Sequence, residues 1–126
     1  MKISENIASA TVKSGCVAVF SMGQAGFVFK LPDGTTIALD LYLSDCCERY
    51  FGFKRIMPKI MSADEFTFDY VAASHAHYDH FDPDSVPTLL SNPSTKLLAA
   101  LDVKAEAERL SLRESQITYL KVGDCF

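Results

Sequence analysis

No stretch of this chain approaches the roughly 18 consecutive apolar residues that a membrane-spanning helix needs, so no membrane span is expected. The opening Met1-Lys2-Ile3-Ser4-Glu5-Asn6 is polar and lacks the apolar run of a secretory signal. Basic residues are outnumbered, with 12 Lys and Arg against 16 Asp and Glu and a net charge of -4. Without a basic field, a nucleic-acid partner is not expected. Cys16, Cys46, Cys47 and Cys125 form none of the C-x-x-C pairs of a structural zinc site or redox motif, and the adjacent Cys46 and Cys47 are poor partners for one disulfide. Free thiols in a reducing cytoplasm are the expectation. An internal repeat, a low-complexity tract and an interdomain linker are also lacking, which leaves residues 1–126 as a single domain. Its 48% hydrophobic and 22% charged content is ordinary for a soluble globular fold.

The segments Cys16–Met22, Ala25–Leu31 and Thr35–Leu41 are short, apolar and rich in β-formers, and they read as three consecutive antiparallel strands. Gly23-Gln24 separates the first two. Pro32-Asp33-Gly34 separates the next two, and Asp-Gly readily supplies the positive φ of a tight turn. From Tyr42 to Phe66 the pattern loses its period, which predicts a long loop with about one helical turn. Loops of this length are uncommon unless they serve a function. Phe68–Ser74 reads as a buried strand. Asp84 is the expected N-cap of a short helix to about Leu90, with Pro87 in its first turn. Lys96–Ala100 reads as a strand, Asp102–Leu110 as a helix capped by Asp102, and Ile117–Val122 as a last strand.

All three histidines fall within six positions, interleaved with one aspartate: Ser74-His75-Ala76-His77-Tyr78-Asp79-His80. In an extended segment, residues two apart project to one side, so His75 and His77 can present imidazoles to one point. Where the chain turns, Asp79 and His80 can face the same cavity and offer an oxygen and a third nitrogen to a second ion. An isolated His-x-His is more often a surface pair than a ligand set. The four-residue spacing His-x-His-x-Asp-His at the exit of an apolar strand points instead to a divalent metal. Such an ion lowers the pKa of its water toward about 7 and polarises a carbonyl or phosphoryl oxygen, and hydrolysis follows. Asp79 and His80 are then the candidate catalytic residues, and His75, His77, Asp79 and His80 the candidate ligands.

This motif resembles that of the metallo-β-lactamase superfamily. Gly23-Gln24-Ala25-Gly26-Phe27, Asp40-Leu41-Tyr42-Leu43-Ser44-Asp45 and Ser74 to Asp82 together look like its L-ascorbate-6-phosphate lactonase branch. The resemblance implies an α/β (α+β) fold, the N-terminal half of an αββα sandwich, with a mixed sheet and helices on one face. It implies manganese or zinc as cofactor, with His75 and His77 on the first ion and Asp79 and His80 at the second. It also implies that Asp40 orients the cluster from behind, although as a sequence feature Asp40 is equally a strand-end turn residue. A phosphorylated sugar-acid lactone is the implied small-molecule substrate. Arg49, Lys54 or Arg55 would hold its phosphate if their loop folds over the metal, and would otherwise be solvated. Tyr78 is expected to pack, and Gln24 to shape its turn.

Members of the superfamily are about twice this long, and their second half supplies further ligands, whereas no histidine follows His80. The expectation is therefore either a missing C-terminal half or a homo-oligomer covering an apolar sheet face. A non-catalytic metal-binding or interaction fragment is the alternative from another class, and a phosphodiesterase or nuclease would use the same ligands.

Overall fold

A computed structural model describes residues 1–126. Six strands lie in the sheet in chain order: β1 (Ala18–Ser21), β2 (Phe27–Lys30), β3 (Thr36–Leu39), β4 (Tyr70–Ala73), β5 (Lys96–Ala100) and β6 (Ile117–Leu120). The first three pair antiparallel, as expected, and β3 through β6 pair parallel. Both hairpins follow from backbone chemistry. Gly23 and Gln24 carry consecutive positive φ angles of 83° and 52°, which suits the tight turn between right-twisted strands. Gly34 supplies φ 92° at the second turn, where the Asp33 carboxylate accepts the Thr35 N–H at 2.9 Å.

Four short helices accompany the sheet: α1 (Ile3–Ser9), α2 (Cys46–Phe51), α3 (Val86–Leu89) and α4 (Lys104–Arg109). Sequence patterning misses α1, since Met1 to Asn6 reads only as polar. Glu5 accepts the Lys2 backbone N–H at 2.9 Å, and Ile3 and Ile7, four apart, turn one face inward. Lys30 completes the helix by donating to the Ile7 and Ala8 carbonyls at 2.8 Å each, which places a cation at its C-terminal end. In the long β3–β4 connection, α2 stops at Gly52, whose φ of 75° suits the left-handed cap.

Both expected aspartate caps are corrected. Ser85, not Asp84, precedes α3, and Asp84 pairs with Arg49 at 2.7 Å. The carboxylate that gathers the amides before α3 is Asp82, with the N–H groups of Asp84 and Ser85 at 3.1 and 3.3 Å. Asp102 lies inside a 3-10 turn (Leu101–Val103) ahead of α4 and accepts the Ala76 N–H at 3.1 Å. In each case a long-range donor outcompetes the local one.

One sheet face is sealed. Val28, Ala38, Val71, Ala73, Leu97 and Ala99 pack there with residues of α1, α3 and the 3-10 turn before α4 in one buried core. Strand alternation turns Phe27, Leu39, Tyr70, Ala72 and Leu98 to the opposite face, which is only partly covered. Helices on one face of a mixed sheet match the half-sandwich expectation. The exception is α2, whose Cys46 and Cys47 pack separately with Tyr42.

Candidate metal centre

The site grows from the ends of two neighbouring parallel strands. Beyond β3, Asp40 adopts φ 51°, a left-handed conformation rare outside glycine and better tolerated by Asp than by most residues. Gly26 makes room for this turn, because a Cβ there would meet the Asp40 carbonyl at 3.1 Å. The buried Asp40 carboxylate then faces the exit of β4. One oxygen accepts the Ser74 N–H at 2.7 Å, and the other accepts the Ser74 hydroxyl at 2.7 Å and lies 3.0 Å from His80 Nδ1.

The reverse contact mirrors this one. Asp82, buried beyond the β4 exit, accepts the Leu43 and Ser44 N–H groups at 2.9 and 2.8 Å and the Ser44 hydroxyl at 2.7 Å. Each exit thus lends a carboxylate to the other's donors, and fully satisfied buried networks of this kind hold geometry. Asp82 escaped sequence reasoning because Asp-Pro-Asp-Ser marks a helix start without telling which carboxylate reaches across the fold.

Between these braces the histidines fold back on themselves. The N–H groups of His80 and Phe81 both donate to the His77 carbonyl, at 2.9 and 2.7 Å. His75 Nε2 lies 3.1 Å from His77 Nδ1, and the His75 and His80 ring centroids are 4.0 Å apart. His80 Nε2 lies 3.6 Å from an Asp79 oxygen. His75 thus lies against both His77 and His80, with Asp79 beside His80. No group of three or more His, Cys, Asp or Glu side chains is arranged to hold one ion. All four donors follow the β4 exit, and His80 Nδ1 is turned to Asp40 at the β3 exit.

The donor chemistry nevertheless fits a divalent cation. Two nitrogens 3.1 Å apart can share an ion about 2.0–2.1 Å from each. With Nδ1 facing Asp40, His80 keeps Nε2 for a ligand, the usual arrangement of a carboxylate-braced metal histidine.

The three cations proposed for a substrate phosphate part company. Arg49 is taken by Asp84. Arg55 lies over the Tyr42 ring, 3.9 Å from its centre, and donates to the Tyr42 and Ser44 carbonyls at 2.8 and 2.6 Å. Its side chain is 7% exposed, so it serves as a structural tie. Lys54 alone remains exposed and free on the wall of a cavity of about 620 Å³ that His77 and Asp79 also line. Gln24 serves both readings, standing in its turn and lining that cavity. Tyr78 is occupied as well. Its hydroxyl donates to Glu106 at 3.2 Å and accepts from Arg109 at 3.3 Å, and burial followed by the Glu106 charge raises its pKa.

Neither a protein-family model nor a curated protein matches the chain. Among solved structures it resembles Igni18, described as a novel metallo hydrolase from the hyperthermophilic archaeon Ignicoccus hospitalis. The two share 21% identity and a TM-score of 0.52, over 86% of this chain. The chain shares the fold of part of that structure. This chain spans 41% of the length of the Igni18 chain, and at this identity the likeness carries the fold alone. Nothing in it selects the lactonase branch. No helix is long and apolar enough to cross a membrane.

Proposed function

We propose that this metallo-hydrolase fold is a metal-dependent hydrolase, with His75 and His77 holding one divalent cation and Asp79 and His80 contributing to a second, manganese or zinc. The observation that carries the reading is the pair of imidazole nitrogens 3.1 Å apart beside a histidine that Asp40 braces. When bound, such a cation supplies a Lewis acid and an activated water. The chain's own residues do the positioning. Asp40 fixes the His80 ring through Nδ1, Asp102 ties the Ala76 amide between the two clamp histidines, and Ser74 Oγ stands 2.9 Å from His75 Nδ1. Asp79, with His77, lines the cavity that a substrate would enter. The reaction proposed is hydrolysis of an ester or lactone.

A phosphorylated sugar-acid lactone remains the narrower reading, with Lys54 as its one uncommitted cation. The half-covered sheet face supports association, through a second copy or further polypeptide. Four free cysteines support a reducing, cytoplasmic setting.

The test is metal content after dialysis against manganese or zinc, together with hydrolysis of a simple aryl ester or lactone. Stoichiometric metal is expected, lost in His77→Ala, with turnover that chelator abolishes and metal restores. Turnover that survives chelation would sink the reading. Metal binding without turnover would favour a non-catalytic module, and faster cleavage of a phosphodiester than of any ester would favour the phosphodiesterase reading.

A further inference from the structure

The cavity lined by His77 and Asp79 is walled elsewhere by Tyr42, Phe51, Phe53 and Tyr78. Its volume, about 620 Å³, lies within the roughly 300–1,000 Å³ typical of small-molecule sites. Phe51 and Phe53 are 55% and 70% exposed. Their ring centres lie 6.0 Å apart, and Phe51 is 5.7 Å from Tyr78, so the rings make one continuous shelf. Aromatic surface left in water beside metal-type donors is surface that a ligand can cover with gain. The polar groups of Tyr42, Tyr78 and Arg55 on this wall are already engaged within the protein, which leaves few partners for the hydroxyls of a sugar.

The charge on this wall is equally selective. Ion pairs engage Arg49, Arg55, Lys59 and Arg109 around it, as they do Lys2 and Lys104 elsewhere, but leave Lys54 out. Lys54 lines the cavity directly after Phe53. One cation beside an apolar shelf matches a ligand with one anionic group and a ring-sized apolar body.

We propose that this site takes an apolar, ring-bearing ester or lactone that carries a single anionic group for Lys54, in place of a phosphorylated sugar. The ester part of this statement rests on the hydrolase reading, while the recognition part rests on the cavity alone. In the reaction the water oxygen bonds to the acyl carbon, the acyl–oxygen bond breaks, one water proton goes to the departing alkoxide, and the other is released to solvent as the acid ionises. The products are a carboxylate and an alcohol, joined in one molecule when the substrate is a lactone.

Recognition is testable without metal. The chelator-dialysed full chain is titrated calorimetrically with phenylbutyrate, butyrate, phenylbutanol and glycerol phosphate. Phenylbutyrate is expected to bind about tenfold tighter than butyrate or glycerol phosphate. Phe53→Ala should weaken phenylbutyrate by about fivefold or more, with an unchanged circular dichroism spectrum. Lys54→Gln should weaken phenylbutyrate and leave phenylbutanol as it was. Glycerol phosphate binding as tightly as phenylbutyrate, no effect of Phe53→Ala, equal effects of Lys54→Gln on acid and alcohol, or no binding by any probe would each overturn the proposal. Intact aryl recognition in a protein that hydrolyses nothing would sink the hydrolase reading alone, and hydrolysis without aryl preference would sink this inference alone.

Discussion

The cleft has two walls of different construction. The wall that carries the histidines is cross-braced, because Asp40 and Asp82 each leave one strand exit to capture donors of the other. The wall formed by α2 and the residues after it carries exposed rings and an unpaired lysine, with Arg55 as its main tie to the body of the fold. Buried polar networks hold positions to fractions of an ångström, whereas exposed aromatics adapt to what covers them. The protein therefore concentrates rigidity where ligand geometry matters and leaves the recognition surface with little structural duty.

Substitutions should separate the walls. Asp82→Ala strands the Leu43 and Ser44 amides and the Ser44 and Ser85 hydroxyls. It should cost about 3 kcal/mol or more in urea unfolding. A loss under about 1 kcal/mol would show that the exits are not braced as described. Asp40→Asn keeps a residue that tolerates the left-handed backbone but removes the charge. About 1–2 kcal/mol of stability should go, together with a shift of the His80 imidazole resonances, and unchanged His80 signals would break the link to that ring.

Thiol chemistry probes the foot of α2. Cys16 and Cys125 are exposed while Cys46 and Cys47 are buried, and burial pushes the Cys46 thiol up to about 12. Two thiols should be alkylated quickly at pH 8, and the buried pair only on unfolding, as read by intact mass. Because the folded state holds the Cys46 proton more tightly than the unfolded chain does, this contribution to stability is present below about pH 9 and is lost as the pH rises toward 12. Rapid labelling of all four in the native protein would show α2 to be loosely seated.

On the open wall, Phe53→Ala should alter unfolding by no more than about 0.5 kcal/mol while changing ligand binding. A large loss of stability would make the ring shelf structural. Smallest of all, Arg49→Ala removes an exposed pair with Asp84, and its melting temperature should match the parent's within error.

How far these walls could be read in advance follows from the range of each interaction. The Lys96–Ala100 strand and both hairpin turns are written in neighbouring residues, because period and left-handed glycines act locally. The histidine spacing is local too, and it announces a metal site without the fold. Helix α1 escaped because its short apolar face shows only once Ile7 meets the core. The roles given to Asp84 and Asp102 as caps failed because Arg49 and the Ala76 amide, distant in sequence, are nearer in space.

The sequence by itself determined the strand order of the first hairpins, the donor types and their spacing, all of which depend on groups a few residues apart. Tertiary structure alone decided that His80 Nδ1 turns to Asp40, that Asp82 rather than Asp84 anchors the exit, that Arg49 and Arg55 are already occupied, and that Lys54 shares a cavity with bare aromatic rings. Those outcomes are competitions among hydrogen-bonding and charged groups far apart along the chain, and distance in space settles them.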